Sequence, residues 1–177
     1  MAITLPQPIT FGDTSGDVGD HTQIAAENIA LSGISGGGAA TGVGDANTLF
    51  DHAVGGNNDV SVTLFPGSAD ALGGAITLTD HAVGGGNQVT ASSAGGAIAI
   101  GDALNFSGHA RGGHNTVSVS ARSATAYGDA ETMSDHAAGG DNHVVASGFG
   151  AAAFGDASTM EGFAQGGNNF HAHLFAA

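Results

Sequence analysis

The chain has 177 residues, with 32 glycines, no cysteine and a net charge of −14 in which Arg111 and Arg122 are the only Lys or Arg residues. This composition excludes disulfides and thiolate metal sites, and it disfavours long helices, because glycine costs roughly 1 kcal/mol per helical position. The acidic balance also excludes nucleic acid and anionic membranes as expected partners and leaves cations as favourable ones. A flexible low-complexity chain and a glycine-tolerant β architecture remain.

The first residues carry no export or membrane signal of the usual kind. They lack the basic and apolar regions of a secretory signal peptide, and no stretch of the chain approaches 18 apolar residues. We therefore expect no membrane insertion, and either an intracellular protein or one exported without an N-terminal signal. Residues 1–10 are predicted to form an N-terminal extension, either a cap or a strand donated to a neighbour.

From residue 11 onward the chain is a repeat. An apolar residue followed by Gly-Asp-Ala occurs at 43–46, 100–103, 127–130 and 154–157, with a degenerate copy at 72–75 and a weaker unit before them. The spacings are 29, 28, 27 and 27 residues. Each copy continues with His-Ala or Phe-Ala, then Gly-Gly, then an asparagine. Such regularity over nearly the whole chain indicates a repeat architecture.

After each asparagine the sequence alternates with period two, as at 60–64, 117–121 and 170–174. Alternation of this kind predicts half-buried strands, and the glycines supply corners between them. A unit of this length cannot bury its apolar side alone, whereas stacked units can. The sequence thus predicts an all-β fold: one parallel β-solenoid (a β-roll or β-helix) over residues 11–175, with about six coils of 27–29 residues.

Two rows of aspartates would stack in such a solenoid. Like charges about 5 Å apart repel by roughly 1 kcal/mol in water and by more in a protein, so something must offset them. Calcium, which accepts carboxylates and corner carbonyls, is one candidate; turn capping through nearby backbone N–H groups is the other. The candidate metal ligands are Asp13, Asp45, Asp102, Asp129 and Asp156 in one row and Asp51, Asp80 and Asp135 in the other.

The segment Gly-Gly-Asn-Asn-Asp-Val-Ser-Val at 55–62 and its companions resemble the RTX, or haemolysin-type, calcium-binding repeats. The whole unit is similar to longer bacterial repeats of the RTX-like kind, best at Tyr127–Ala130 with Met133 and Gly139–Asn142. This resemblance implies a parallel β-roll, calcium binding, and type I secretion through an uncleaved C-terminal signal. The usual fourth glycine is replaced by asparagine, however, and the following aspartate survives only as Asp59, so RTX coordination cannot be transferred residue by residue.

Two further columns have structural and functional interpretations. The asparagines are expected to form a ladder of amide hydrogen bonds at one corner: Asn58, Asn87, Asn115, Asn142 and Asn169. The histidines His52, His81, His109 and His136 are expected to stack on the surface. A pH-sensitive assembly or a zinc or copper site are the alternatives for that histidine column.

Catalysis finds little support, because the carboxylates and imidazoles recur as equivalent copies whereas an active site needs one asymmetric constellation. The expected function is instead that of an extracellular or cell-surface structural protein: a calcium-stabilised solenoid that stacks on itself into filaments, a surface layer or a biofilm matrix. The alternatives are an ice-binding solenoid, with outward Ser and Thr rows, and a monomeric calcium-binding passenger or adhesin module.

Overall fold

The computed structural model describes residues 9–12, 16–19, 28–32 and 38–175. These residues form short β-strands joined by tight corners, and the described ranges contain no helix. Each strand pairs in parallel with the equivalent strand one repeat away along the sequence. The fold is therefore an all-β parallel solenoid with a repeat of about 28 residues, which confirms the predicted fold class.

Three parallel sheets, each of six strands, run along the solenoid. The first sheet contains β1 (Ile9–Phe11), β4 (Ala39–Val43), β7 (Ser68–Leu72), β10 (Gly96–Ile100), β13 (Ser123–Tyr127) and β16 (Gly150–Phe154). The second contains β2 (Asp17–Val18), β5 (Thr48–Leu49), β8 (Ala75–Leu78), β11 (Ala103–Phe106), β14 (Ala130–Met133) and β17 (Thr159–Met160). The third contains β3 (Asn28–Ser32), β6 (Asp59–Leu64), β9 (Gln88–Ser93), β12 (Thr116–Ser120), β15 (His143–Ser147) and β18 (Phe170–Leu174).

One strand from each sheet makes a rung, so the described chain has six rungs and five steps between the first and the last. The first strand begins at Ile9, within the predicted extension; residues 1–8 lie outside the described part of the chain. Parallel pairing places equivalent residues about 4.8 Å apart along the solenoid. Each repeated position of the sequence therefore becomes a column.

The core consists of apolar columns between the sheets. The first and third sheets face each other with alanines on one side and mainly valines on the other, as at Ala97 and Ala99 against Val117 and Val119. Beside the second sheet runs a column of bulkier residues, which is fully covered at every member but the last: Leu49, Leu78, Phe106, Met133 and Met160. Small side chains suit this narrow interior, since it leaves no room for larger ones on both sides.

Glycine is required at the corner that follows the first sheet. A Cβ atom on Gly128 would overlap the carbonyl oxygen of Gly155 in the next rung, and one on Gly101 would overlap that of Gly128. The chain thus passes so close to its neighbouring rung here that no side chain fits. Because of this close approach, the Gly-Asp pair of a repeat forms a corner inside the solenoid rather than an exposed loop.

Candidate functional site

The Gly-Asp corner turns its carboxylates into the protein. Asp45, Asp102 and Asp129 are fully buried, and Asp156 in the last rung is half-buried. Each accepts a hydrogen bond from the second glycine of the Gly-Gly pair eleven residues later, at 2.8 to 3.1 Å. Gly74 takes the place of the aspartate in the third rung, as the sequence shows. Asp13 lies outside the described residues.

Burial perturbs the ionisation of these acids. Loss of hydration raises the pKa of Asp102 to about 6, although hydrogen bonds from Gly113 and Asn115 act in the opposite direction. Loss of hydration also raises the pKa of Asp129 well above its ordinary value, and the negative charge of Asp102 adds to this rise. The repulsion expected along the column is therefore reduced by proton uptake as well as by N–H donors.

The asparagine column interlocks with this acidic column. Each backbone N–H donates to the side-chain oxygen of the asparagine in the next rung, from Asn58 through Asn169, at 2.8 to 3.0 Å. The Asn115 amide nitrogen donates to Asp102 and to the carbonyl oxygen of Gly128, both at 2.9 Å. The predicted asparagine ladder is confirmed, and it is an asparagine–aspartate ladder that crosses from rung to rung.

The buried acids do not suit a calcium ion. Their oxygens face N–H groups of glycine and asparagine, whereas calcium needs six to eight oxygen ligands around it. In the described part of the chain no three His, Cys, Asp or Glu side chains come together as a metal site. Calcium binding stays a prediction. Of the two aspartate rows, the exposed row of Asp51, Asp80 and Asp135 is the better target for substitutions that test it.

The second acidic row has a conformational role. Asp51, Asp80 and Asp135 are exposed and adopt left-handed backbone angles, with φ of 54°, 58° and 60°. Gly108 and Gly162 occupy the same column with φ of 68°. Aspartate and glycine are among the few residues that tolerate this conformation. The turn therefore explains why only Asp or Gly occupies this row. This explanation of the aspartates requires no bound ligand.

The histidine column is an exposed stack. Ring centroids from His52 to His136 lie 4.9 to 5.1 Å apart, and Phe163 continues the stack at 4.9 Å from His136. An ion shared by two imidazoles needs a nitrogen from each at about 2 Å. Stacked rings at this spacing cannot supply both without rotating out of the stack, so the geometry favours the structural interpretation over the metal site.

The last rung is covered on one side only. β16, β17 and β18 each pair with the preceding rung, and none has a further strand beside it in the described chain. Side chains that are covered in earlier rungs are open here: Met160 is 42% exposed, although its equivalent Met133 is 0% exposed. Ala157 and Ala164 of the same rung are also only partly buried, although their equivalents Ala130 and Ala137 are fully buried. We call this surface the end face.

Two residues of the end face differ from what the alternation suggests. The alternation predicts that the apolar residues Phe170, Ala172 and Leu174 point inward, but the register aligns His171 with Val144 and His173 with Ala146, which are both buried. His171 and His173 therefore occupy inward positions. Counting two and four residues from each asparagine of the ladder finds them, because that count gives the inward pair in the second to fifth rungs.

These columns and corners define the molecule as a β-solenoid repeat protein. Comparison with protein-family models, curated proteins and solved structures gives no significant match. The described residues contain no helix long and apolar enough to cross a membrane. The function must therefore be argued from the geometry of the solenoid itself.

Proposed function

We propose that the protein is an extracellular structural protein whose solenoids stack end to end into filaments or a surface layer. The end face is the observation that carries this proposal. It presents one unpaired strand edge from each of the three sheets, all parallel and in one plane of the repeat. Unpaired edges are templates for further pairing, and here three are arranged together.

The occupant that best fits the end face is a second copy of this chain. Every earlier rung of the solenoid is covered by a rung with the same strands, the same glycine corner and the same asparagine. The columns of the end face continue those of the interior, for example at Met160, which pairs with the buried Met133. The first rung of a second copy would extend the three strand ladders, although its Asn28 aligns with Asp59 and not with Asn58 of the asparagine column.

Charge favours stacking at the ends over lateral association. The molecule carries a net charge of −14, and its exposed acidic row of Asp51, Asp80 and Asp135 runs along the side wall. Side walls of two copies would therefore repel each other. The end face instead exposes mostly apolar side chains, and their burial stabilises by roughly 25 cal/mol per Å².

A charge placed on the end face tests the proposal. Met160→Glu introduces a carboxylate into the apolar column at the end face, and Phe65→Glu makes a comparable change on the side wall, where Phe65 is 57% exposed. Electron microscopy and sedimentation of the purified chain should show filaments for the wild type and Phe65→Glu, and single particles for Met160→Glu. Single particles of the wild type at high concentration would contradict end-to-end assembly.

Calcium and RTX-like export belong to the same proposal. Stabilisation by calcium is supported by the acidic composition and by the resemblance to RTX repeats, not by a preformed cage. Imaging the filaments in millimolar calcium and again after chelation separates the two parts. Filaments that persist after chelation would support end-to-end assembly and would contradict a role for calcium in it.

Ice binding is a second candidate, because one outward column of the third sheet carries hydroxyl side chains. In the third sheet the outward column contains Ser32, Thr63, Ser92, Ser120 and Ser147 in successive rungs. The hydroxyls of this column continue over five rungs, and Leu174 takes the equivalent position in the sixth. Thermal hysteresis of a solution of the monomeric Met160→Glu variant would support this function directly, and its absence would exclude it.

A further inference from the structure

The inward columns of the third sheet change character in the last rung. In the second to fifth rungs these positions hold residues such as Val89, Ala91, Val144 and Ala146, all fully buried. In the sixth rung they hold His171 and His173. Their rings meet edge to face with centroids 6.1 Å apart, and the Nδ1 atom of His173 lies 3.3 Å from the carbonyl oxygen of Ala151 across the interior. Two imidazoles thus end the apolar core.

The backbone of the same two residues faces the open edge. Phe170 donates its N–H to Asn142 and Leu174 accepts from Gly148, so both are bonded to the preceding rung. In a parallel ladder, alternate residues bond to opposite neighbours. The N–H and C=O groups of His171 and His173 are therefore the ones that a further rung would use. Backbone and side chain of both residues belong to the surface that a second copy must cover.

Few charged groups surround this pair. β15 and β16 pack against β18. β15 contributes His143, which stacks on Phe170 with centroids 4.7 Å apart and lies on the outward side of the sheet. β16 contributes no titratable residue, and Asp156 shares a cleft of about 390 Å³ with His171 just beyond it. Asp156 is thus the one carboxylate near the pair in the described chain.

We infer that His171 and His173 make the acceptance of a second solenoid at the end face dependent on their protonation. This inference rests on the proposed end-to-end assembly and adds its regulation. In the docked state the two rings lie over the inward positions of the first rung of the second copy, which are Ile29 and Leu31. Neutral imidazoles can be buried there with their edge contact and the carbonyl of Ala151 as partner. Imidazolium ions cannot, because burying unpaired charge is costly.

Imidazole is the side chain that changes charge between about pH 5 and 8, so the direction of the effect follows. Neutral solution permits docking, and mildly acidic solution opposes it by charging the end of the core. Asp156 can stabilise one imidazolium, but not two. The overall charge of the molecule acts in the opposite direction, since acid lowers the repulsion between copies with a net charge of −14. The control variant must therefore show the same decrease in charge repulsion between copies at acidic pH.

The experiment compares three proteins in buffers with salt at about 0.15 M, which screens the general repulsion. His171→Val with His173→Ala restores the residues of the preceding rung. His81→Ser with His109→Ser removes two exposed imidazoles from the side wall instead. Sedimentation gives the concentration above which each protein assembles at about pH 7.5 and about pH 5.5.

We expect this concentration to rise at least about tenfold in acid for the wild type and the side-wall variant, since two rings must lose their protons to dock. The end-face variant should assemble alike at both pH values, or better in acid. A rise of equal size in the end-face variant would overturn the inference and leave end-to-end assembly intact. Single particles for all three proteins at both pH values would overturn the proposed function, and the inference with it.

Discussion

At the scale of single residues, the interior asparagine–aspartate ladder is the feature that most separates this solenoid from an exposed repeat. The sequence predicted the asparagine bonds and the need to offset repulsion between aspartates. It could not show that the aspartates point inward, because Gly-Asp is equally typical of an exposed turn. The orientation of the aspartates becomes visible only from their burial, since an inward carboxylate must find hydrogen-bond donors within the protein.

Substitution of Asn115 tests how much this ladder contributes to the free energy of unfolding. Its amide group donates to Asp102 and Gly128, and its side-chain oxygen accepts from Asn87. Asn115→Ala should lower the free energy of unfolding by about 3 kcal/mol or more, because it leaves buried polar groups without partners. Urea denaturation measures the loss. Asn105→Ala, at an exposed position, should change stability by less than about 0.5 kcal/mol.

Asp80 distinguishes a turn residue from a calcium ligand. Its φ of 58° is the conformation that glycine adopts without cost. Asp80→Gly should keep the stability of the wild type, whereas Asp80→Ala should lose about 1 kcal/mol through backbone strain. Both variants remove the carboxylate. If thermal unfolding in millimolar calcium shows that they lose a calcium-dependent stabilisation equally, the row binds the ion.

The buried acids predict an unusual dependence of stability on pH. Burial raises the pKa of Asp70 from its ordinary 3.8 to about 6, although a hydrogen bond from the backbone of Ile98 opposes this rise. Asp102 is raised to the same value, chiefly by burial. Between these values the folded protein holds protons that the unfolded chain releases, so stability increases as the pH falls from about 6 towards 4.

Asp70→Asn checks this dependence. The variant should lose on the order of 2 kcal/mol of the stability gained between pH 6 and pH 4, because the amide does not titrate. Urea denaturation at several pH values measures the gain, and the histidines titrate in both proteins. An equal gain in the variant and the wild type would show that Asp70 has an ordinary pKa.

At the scale of strands and corners, the repeat made most of the architecture predictable. The period, the alternating strands and the glycine corners all follow from aligning the copies, and so does the column from Leu49 to Met160. In the last strand the local alternation and the repeat predict opposite inward sets, and the structure follows the repeat. Phe170, Ala172 and Leu174 look like an inward set, but the register counted from Asn169 puts His171 and His173 inward.

The corner glycines give a prediction at this scale. A Cβ on Gly128 would overlap backbone of the next rung, whereas one on Gly96, at the start of β10, would meet nothing within 4 Å. Gly128→Ala should therefore destabilise by more than about 3 kcal/mol, and Gly96→Ala by less than about 0.5 kcal/mol. Urea denaturation compares them. Similar losses in both would mean that the rungs are farther apart at this corner than the structure has them.

At the scale of the whole molecule, the sequence predicts the fold but does not select one function among the candidates. Net charge restricts the class of partner, but the choice between filament, ice surface and passenger depends on which surfaces are flat, open or apolar. Those surfaces exist only once the rungs are stacked. The end face is the example, since Met160 and Met133 have the same place in the repeat and differ only in whether a neighbour covers them.

The same nearest-neighbour stacking has a mechanical consequence. A chain pulled by its two ends would be loaded first at the outer rungs, each held by its bonds to a single neighbour. Rungs would peel away one after another, each releasing a contour of about 90 Å for roughly 27 residues of extended chain. Joined end to end, such molecules would yield under tension in small regular steps, with the unpeeled coils still intact behind the last one lost.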